Sequence, residues 1–302
     1  MQNTISVAVV GAGRFGRKHL EKYVLDARAS LVAIVDPNPA LESVARHHGV
    51  RWFPSVADVP AGLVRAATVA VPNAAHYETS AALLRAGVDV LVEKPFTLRL
   101  DEADALIETA RRGERVLQVG HVERFNPAVL AIRSRALSFD LVRALRRGPL
   151  PESDAPPDVV LDLMIHDIEL VLHWAGAQPT HFAVRGDGPK SPLLNSVQVT
   201  LHFPGGAVAE LTAERGATCR MLDVVAGDRH LRADCLARRA YDGDTPLDVA
   251  PHDALAAEIG AFLDAVRLRG TPAVTGSDGR RALDVALRIR DRIVAARYDP
   301  AA

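Results

Sequence analysis

Three side chains in this sequence have the types needed to hold an oxygen and move a proton: Lys94, Asp162 and His166. Lys94 lies in LVEKPFTLRLDEADAL, Leu91 to Leu106, between Glu93 and Pro95, where an apolar run stops just ahead of an acidic helix start. In an open parallel sheet that edge is where ligands bind. Asp162 and His166 stand four residues apart on an apolar helical stretch from Asp158 to Trp174, a spacing that puts both on one helix face. They can converge on one ligand, and a neutral histidine is suited to accepting a proton near neutral pH. A second constellation is Gly11, Gly13 and Gly16 in VVGAGRFGRKHL, a G-x-G-x-x-G run between an apolar strand and a helical pattern. The glycines allow a tight turn and close approach to a pyrophosphate, and the helix starting near Arg14 points free N–H groups at it. Arg14 can lean on a phosphate, while Phe15 reads as a packing residue of the same loop. Asp36 ends the next strand, LVAIVD, twenty residues after Gly16. That is the spacing of a carboxylate that bonds ribose hydroxyls and repels a 2′-phosphate, so NAD is expected rather than NADP.

These residues need elements to carry them. From Ile5 to about Gly120 the apolar runs ISVAVV, LVAIVD, AATVAV, VDVLVE and RVLQVG alternate with helical segments Arg14 to Ala27, Ala75 to Ala86 and Asp101 to Arg112. Such runs, apolar on both faces and joined by helices, predict a doubly wound parallel sheet. Asp101 reads as the N-cap of its helix and Gly113 as its stop, and Gly87 does the same ahead of Val88. After Gly120 the pattern changes to partly alternating strands, FDLVRAL, SVQVTLHF, GAVAELTAE and RMLDVVAG, with a Pro204, Gly205, Gly206 turn. Helices are expected at Asp158 to Trp174, Ala254 to Arg269 and Arg280 to Arg297, after a Pro-rich loop from Gly148 to Asp158. The expected architecture is α/β: a Rossmann domain over residues 1–121, then over 122–302 an α+β domain with an open, mostly antiparallel sheet.

A chain of 302 residues, 48% apolar and 24% charged, is comfortable as two globular domains. Its 36 basic and 37 acidic residues leave a formal charge of -1, which points to a small-molecule partner rather than nucleic acid or a membrane surface. Cys219 and Cys235 show no metal-type spacing and read as buried small residues of a protein from a reducing compartment. The N-terminus has no basic targeting region and no apolar run reaches the length of a membrane span, so a cytoplasmic protein is expected.

The combination of VVGAGRFG, VPNAAH (Val71 to His76), VEKPFTL (Val92 to Leu98) and DLMIHDIEL (Asp162 to Leu170) resembles the Gfo/Idh/MocA family of sugar and cyclitol dehydrogenases. The likeness reaches the closing segment from Gly270 to Leu287. It implies a nicotinamide enzyme acting on a secondary alcohol, with the active site between the domains and the open sheet face used for homo-oligomerisation. VGHVERFNPAV, Val119 to Val129, resembles a narrower branch, bacterial UDP-N-acetylglucosamine 3-dehydrogenases, which hand a 3-keto sugar nucleotide to a partner aminotransferase. On that resemblance, alcohol oxidation needs a group that takes the hydroxyl proton as the hydride leaves. His166 is the expected base, Lys94 bonds the reacting oxygen and Asp162 orients the sugar or the histidine. In the competing assignment Lys94 is the acid/base and His166 only binds sugar.

The resemblance also implies that backbone at Pro72 and Asn73 lines the dinucleotide, with His76 either a cofactor-side contact or a helix-start residue. Glu93 fixes Lys94 or the cofactor ribose, or caps the turn. Pro95 holds a rigid turn that ends the strand. His121, Glu123, Arg124 and Asn126 lie just beyond the strand ending near Gly120, and are candidate substrate contacts, Arg124 also touching cofactor. A sugar nucleotide needs basic residues for its pyrophosphate, for which Arg143, Arg146, Arg147, Arg238 and Arg239 are candidates, with Tyr241, in a loop, as a base-stacking candidate. The rival readings are a free sugar or cyclitol dehydrogenase, hydrolysis through transient oxidation, and a non-catalytic dinucleotide-binding regulator.

Overall fold

The computed structural model describes residues 4–151, 158–186 and 194–298. The chain divides into two compact units: one runs to His121 and takes in Leu255–Arg280, and the other runs over Val122–Ala254 and resumes at Arg281. The second domain is therefore not the single stretch 122–302 expected above. Leu255–Arg280 belongs to the first unit because it covers that unit's sheet edge, as shown below.

In the first unit, strands β1 (Ile5–Val10), β2 (Ala29–Val35), β3 (Arg51–Phe53), β4 (Ala66–Val69), β5 (Asp89–Glu93) and β6 (Leu117–Gly120) form one parallel sheet in the order β3-β2-β1-β4-β5-β6. Helices α1 (Arg14–Leu25), α2 (Leu41–His47), α3 (His76–Arg85) and α4 (Leu100–Arg112) make the crossovers. Apolar residues occupy both faces of the central strands because helices cover both, and every residue of β4, β5 and β6 is buried. The order reverses at β1 and β4, which opens a crevice at their carboxyl ends. Two elements lacked a readable apolar period: α2 and the three-residue strand β3. Helix α4 begins one residue early, capped by the backbone of Arg99, and Asp101 serves its first turn through an ion pair with Arg99 rather than as the cap. Gly113 closes this helix as expected.

Strand β6 would be an open edge, and edges need cover. The cover comes after α7 (Ala254–Leu268): Val119 N–H donates to the Val274 carbonyl at 3.1 Å, and Gln118 bridges Thr275. The Gln118 amide also donates to the Glu258 carbonyl at 3.1 Å.

In the second unit, α5 (Pro127–Arg133), β7 (Leu141–Gly148), α6 (Ile165–Ala175), β8 (His181–Gly186), β9 (Ser196–His202), β10 (Val208–Arg215), β11 (Cys219–Ala226), β12 (Arg229–Asp234), β13 (Arg239–Asp242) and β14 (Thr245–Pro246) precede most of α8 (Gly276–Tyr298). The eight strands are ordered β14-β13-β12-β11-β7-β10-β9-β8, all pairs antiparallel except β7 with β10. One face holds the core, including Val142, Ala144, Val199, Leu211, Leu222 and Leu231. The other carries a checkerboard in which Arg143 pairs with Glu210 and Arg147 with Glu214. Strand β8 and the hairpin strands β12 to β14 are too short or too polar to stand out in sequence. Tyr241 lies in β13, not in a loop. Part of the expected Pro-rich loop, residues 152–157, lies outside the described residues.

Candidate active site

The glycine loop joins β1 to α1 at the sheet's switch point. Gly11 adopts φ +84°, and a Cβ there would stand 2.6 Å from the Ala70 carbonyl oxygen. A Cβ on Gly16 would stand 1.8 Å from the Gly11 oxygen, so neither position admits a side chain. Gly13 differs: nothing lies within 4 Å of its Cβ position, and it caps α1 with no side-chain bond to the helix's first N–H groups. A helix start without a side-chain cap and an uncrowded Gly13 are what close approach of a pyrophosphate requires. Asp36 leans over this loop. Its Oδ2 accepts from Ala12 N–H at 2.8 Å and its Oδ1 from Asn38 N–H at 2.9 Å, leaving lone pairs for ribose hydroxyls. Arg14 and Phe15 are exposed on the first turn of α1. The residues present therefore fit NAD, with the glycine loop for its phosphates and Asp36 for its adenosine ribose.

The neighbouring edge is built around Lys94. Strand β5 ends at Glu93, a cis peptide joins Lys94 to Pro95, and Lys94 is half-buried while Pro95 is buried. Glu93 points below: His19 of α1 donates from Nε2 to its Oε1 at 2.9 Å, and both side chains are buried. Gly120 is where it is because a Cβ there would meet the Glu93 carboxylate at 2.8 Å. Glu93 is thereby bonded to the helix that follows the glycine loop. His76 opens α3 and is buried. Its Nδ1 lies 2.8 Å from the Pro95 carbonyl and its Nε2 3.1 Å from the Val71 carbonyl. It ties the segment after β4, where Pro72 is exposed and Asn73 half-buried, to the turn that carries Lys94. Burial lowers the pKa of His76, against the smaller opposing pull of the two carbonyls. His121, which ends the first stretch of this unit, is buried.

In the second unit Asp158 opens the helical run, its Oδ1 accepting from Val160 and Leu161 N–H at 2.9 and 3.0 Å. Its first part is not α-helical: Val160–Met164 forms a turn of π-helix, and α6 follows to Gly176 in the left-handed region. Asp162 lies in that wide turn and His166 just beyond it, both half-buried. Arg215, at the end of β10, donates to Asp162 Oδ2 at 2.6 Å. No local pattern marked Arg215, because it reaches Asp162 through sheet geometry alone.

The segment Val122–Phe125 departs most from expectation. Glu123 is buried, with Oε1 accepting from Arg146 at 3.0 Å and Arg220 at 2.9 Å and Oε2 accepting from Asn126 at 3.0 Å. Asn126 caps α5, accepting from Ala128 N–H at 3.1 Å, and donates to the Cys235 carbonyl at 3.1 Å. Both read as internal supports, not as substrate contacts. Arg124 pairs with Glu169 of α6. Of the basic residues suggested for a pyrophosphate, Arg146 is buried against Asp167 and Glu123, and Arg143 and Arg147 lie on the opposite sheet face in ion pairs. Strand alternation splits the trio. Arg238 and Arg239 are exposed.

Residues 5–121 match the model of an oxidoreductase family with an NAD-binding Rossmann fold. The chain is 33% identical over 300 residues to UDP-N-acetylglucosamine 3-dehydrogenase of Acidithiobacillus ferrooxidans, covering 93% of this chain and 95% of that protein. A solved structure of that enzyme from the same organism superposes with a TM-score of 0.90 at 32% identity, over 97% of this chain and 98% of the other. An inositol 2-dehydrogenase of Streptomyces avermitilis is 30% identical over 320 residues, 95% of this chain and 91% of that one.

Proposed function

We propose that this chain, which belongs to the Gfo/Idh/MocA family of oxidoreductases, oxidises C3 of UDP-N-acetylglucosamine to the 3-keto sugar nucleotide, with NAD as cofactor. The reaction class rests on the open cradle at Gly13 beneath the Asp36 carboxylate. The sugar nucleotide rests on the end-to-end likeness to the Acidithiobacillus enzyme. Asp36 favours NAD over NADP, because a carboxylate bonded to the glycine loop repels a 2′-phosphate.

NAD supplies the hydride acceptor when bound. The chain's own residues do the rest. Lys94, held at the strand end by the turn that His76 ties down, bonds the reacting oxygen and favours its alkoxide. His166 takes the hydroxyl proton, and Asp162, held by Arg215, orients the sugar. His121 and Arg124 remain candidate contacts of substrate or cofactor. The product is a ketone whose formation from an alcohol is uphill, so an amino-transfer enzyme that consumes it is the expected partner. The reading includes a cytoplasmic location and self-association through the open face of the second sheet. No described helix is long and apolar enough to cross a membrane.

The test is NADH formation by purified protein with NAD, a ketone trap and, separately, UDP-N-acetylglucosamine, UDP-glucose, myo-inositol and glucose. Turnover confined to UDP-N-acetylglucosamine is expected, and turnover of myo-inositol alone overturns the substrate. His166→Asn should lower kcat about 100- to 10,000-fold. Normal turnover in that variant would move the proton acceptor to Lys94.

A further inference from the structure

We infer that Arg146 is a positioning residue for His166, acting through the buried cluster Glu123–Arg146–Asp167. The inference rests on the reading of His166 as proton acceptor and gives the VERFN segment a role that contact with substrate does not.

Arg146 projects from β7 into the covered face of the sheet, with Ala144 and Gly148 as its same-face neighbours. A guanidinium there is costly unless every edge is engaged. Its fork is spent on Asp167, with Nε to Oδ2 at 2.9 Å and Nη2 to Oδ1 at 2.7 Å, while Nη1 donates to Glu123 at 3.0 Å. All three side chains are about 3% exposed. Asp167 directly follows His166 on α6, and Glu123 directly precedes Arg124, which pairs with Glu169. Residues 167 and 169 leave an α-helix about 200° apart. Arg146 of β7, itself held by Glu123, and Arg124 of the turn therefore grip α6 on two sides, and the helix cannot roll without breaking one ion pair.

The cluster adds little stability in itself, because a buried ion pair roughly breaks even against apolar residues of the same size. What it supplies is a single rotational setting of α6, and so a single direction for His166. A bidentate fork fixes an angle, which a point charge does not.

The test uses the full chain with NAD and whichever of UDP-N-acetylglucosamine and myo-inositol the parent oxidises. Arg146→Lys keeps the charge and loses the fork. It should lower kcat about 10- to 100-fold, with the KM for NAD changed less than about twofold. Because Arg146 acts through His166, adding Arg146→Lys to His166→Asn should lower kcat by no more than about twofold further. Should Arg146→Lys fail to fold, the neutral triple variant E123Q/R146M/D167N carries the same comparison, since it strands no buried charge. Normal kcat in a folded Arg146 variant, or a full further loss in the His166→Asn background, overturns the inference while leaving the reaction intact. Normal turnover in His166→Asn alone overturns the reading on which it rests.

Discussion

The two sheets build their candidate ligand sites from different materials. In the parallel sheet the strands beside the switch point are buried on both faces, so few side chains are free to project. Its edge is largely backbone: the turn at Gly11 to Gly16, the segment after β4, and the cis-linked Lys94 and Pro95. In the mixed sheet the strands alternate, and polar side chains from well-separated positions meet on the covered face: Asp162 with Arg215, and Glu123 with Arg146 and Arg220. A site made of backbone tolerates no added atoms where its turn closes on itself, at Gly11 and Gly16. A site made of paired side chains tolerates atoms but not the loss of a partner.

That contrast breaks most sharply at the glycines. Gly16→Ala drives a Cβ into the Gly11 carbonyl and should cost about 3 kcal/mol of stability in urea unfolding. Gly13→Ala, with open space around it and an ordinary φ of −66°, should change stability by less than about 0.5 kcal/mol. It should nonetheless weaken NAD binding about tenfold in calorimetry, equivalent to about 1.4 kcal/mol. Equal effects at the two positions would end the idea of an open cradle.

In the second unit the corresponding probe is Arg215→Met, which keeps the bulk and removes the partner of Asp162. It should lower kcat/KM for the sugar about 10- to 100-fold, with NAD binding by the first unit unchanged, and Arg215→Lys should recover part of the loss. Unchanged kcat/KM in Arg215→Met would show that Asp162 needs no partner to orient sugar.

The smallest effect concerns His76, which sharpens the comparison because it is a side chain serving a backbone-made edge. Burial holds its folded pKa below the ordinary value. As pH falls through about 6.5 the unfolded chain takes up a proton that the folded chain refuses. The stability that His76 contributes is therefore present above that pH. It is lost as pH falls toward the folded pKa, by up to about 1.4 kcal/mol per pH unit. Denaturant titrations at several pH values should show a shallower decline in His76→Gln than in the parent. Identical slopes would mean that His76 titrates alike in both states.

The same division explains what could be read in advance. The glycine loop, Asp36, the strand ending before Lys94 and the doubly wound sheet are local in sequence, and their periodicity and spacing predict them. Arg215 and Arg220 have no local signal, since each finds its carboxylate only after the sheet is assembled. Polar density just after β6 drew attention to His121, Glu123, Arg124 and Asn126, but density does not reveal direction. Glu123 turns inward to Arg146 and Asn126 to the cap of α5. Strand alternation, applied to Arg143, Arg146 and Arg147, would have separated the middle residue from the other two. The return of Leu255–Arg280 to the first unit was hidden because covering an edge strand leaves no mark in a helix's own pattern.

The turn at Val160–Met164 makes the second site a matter of counting as well as of chemistry. A π-turn carries one residue more than an α-helix needs to close the same ring of hydrogen bonds. Asp162 sits within that surplus and His166 just past it. Removing one residue between them would let the segment relax to an ordinary helix and swing His166 by about 100° relative to Asp158. Asp162 and His166 would both survive and their constellation would not. Sequence length at this one turn is thus as much a part of the proposed active site as the residues assigned to its chemistry.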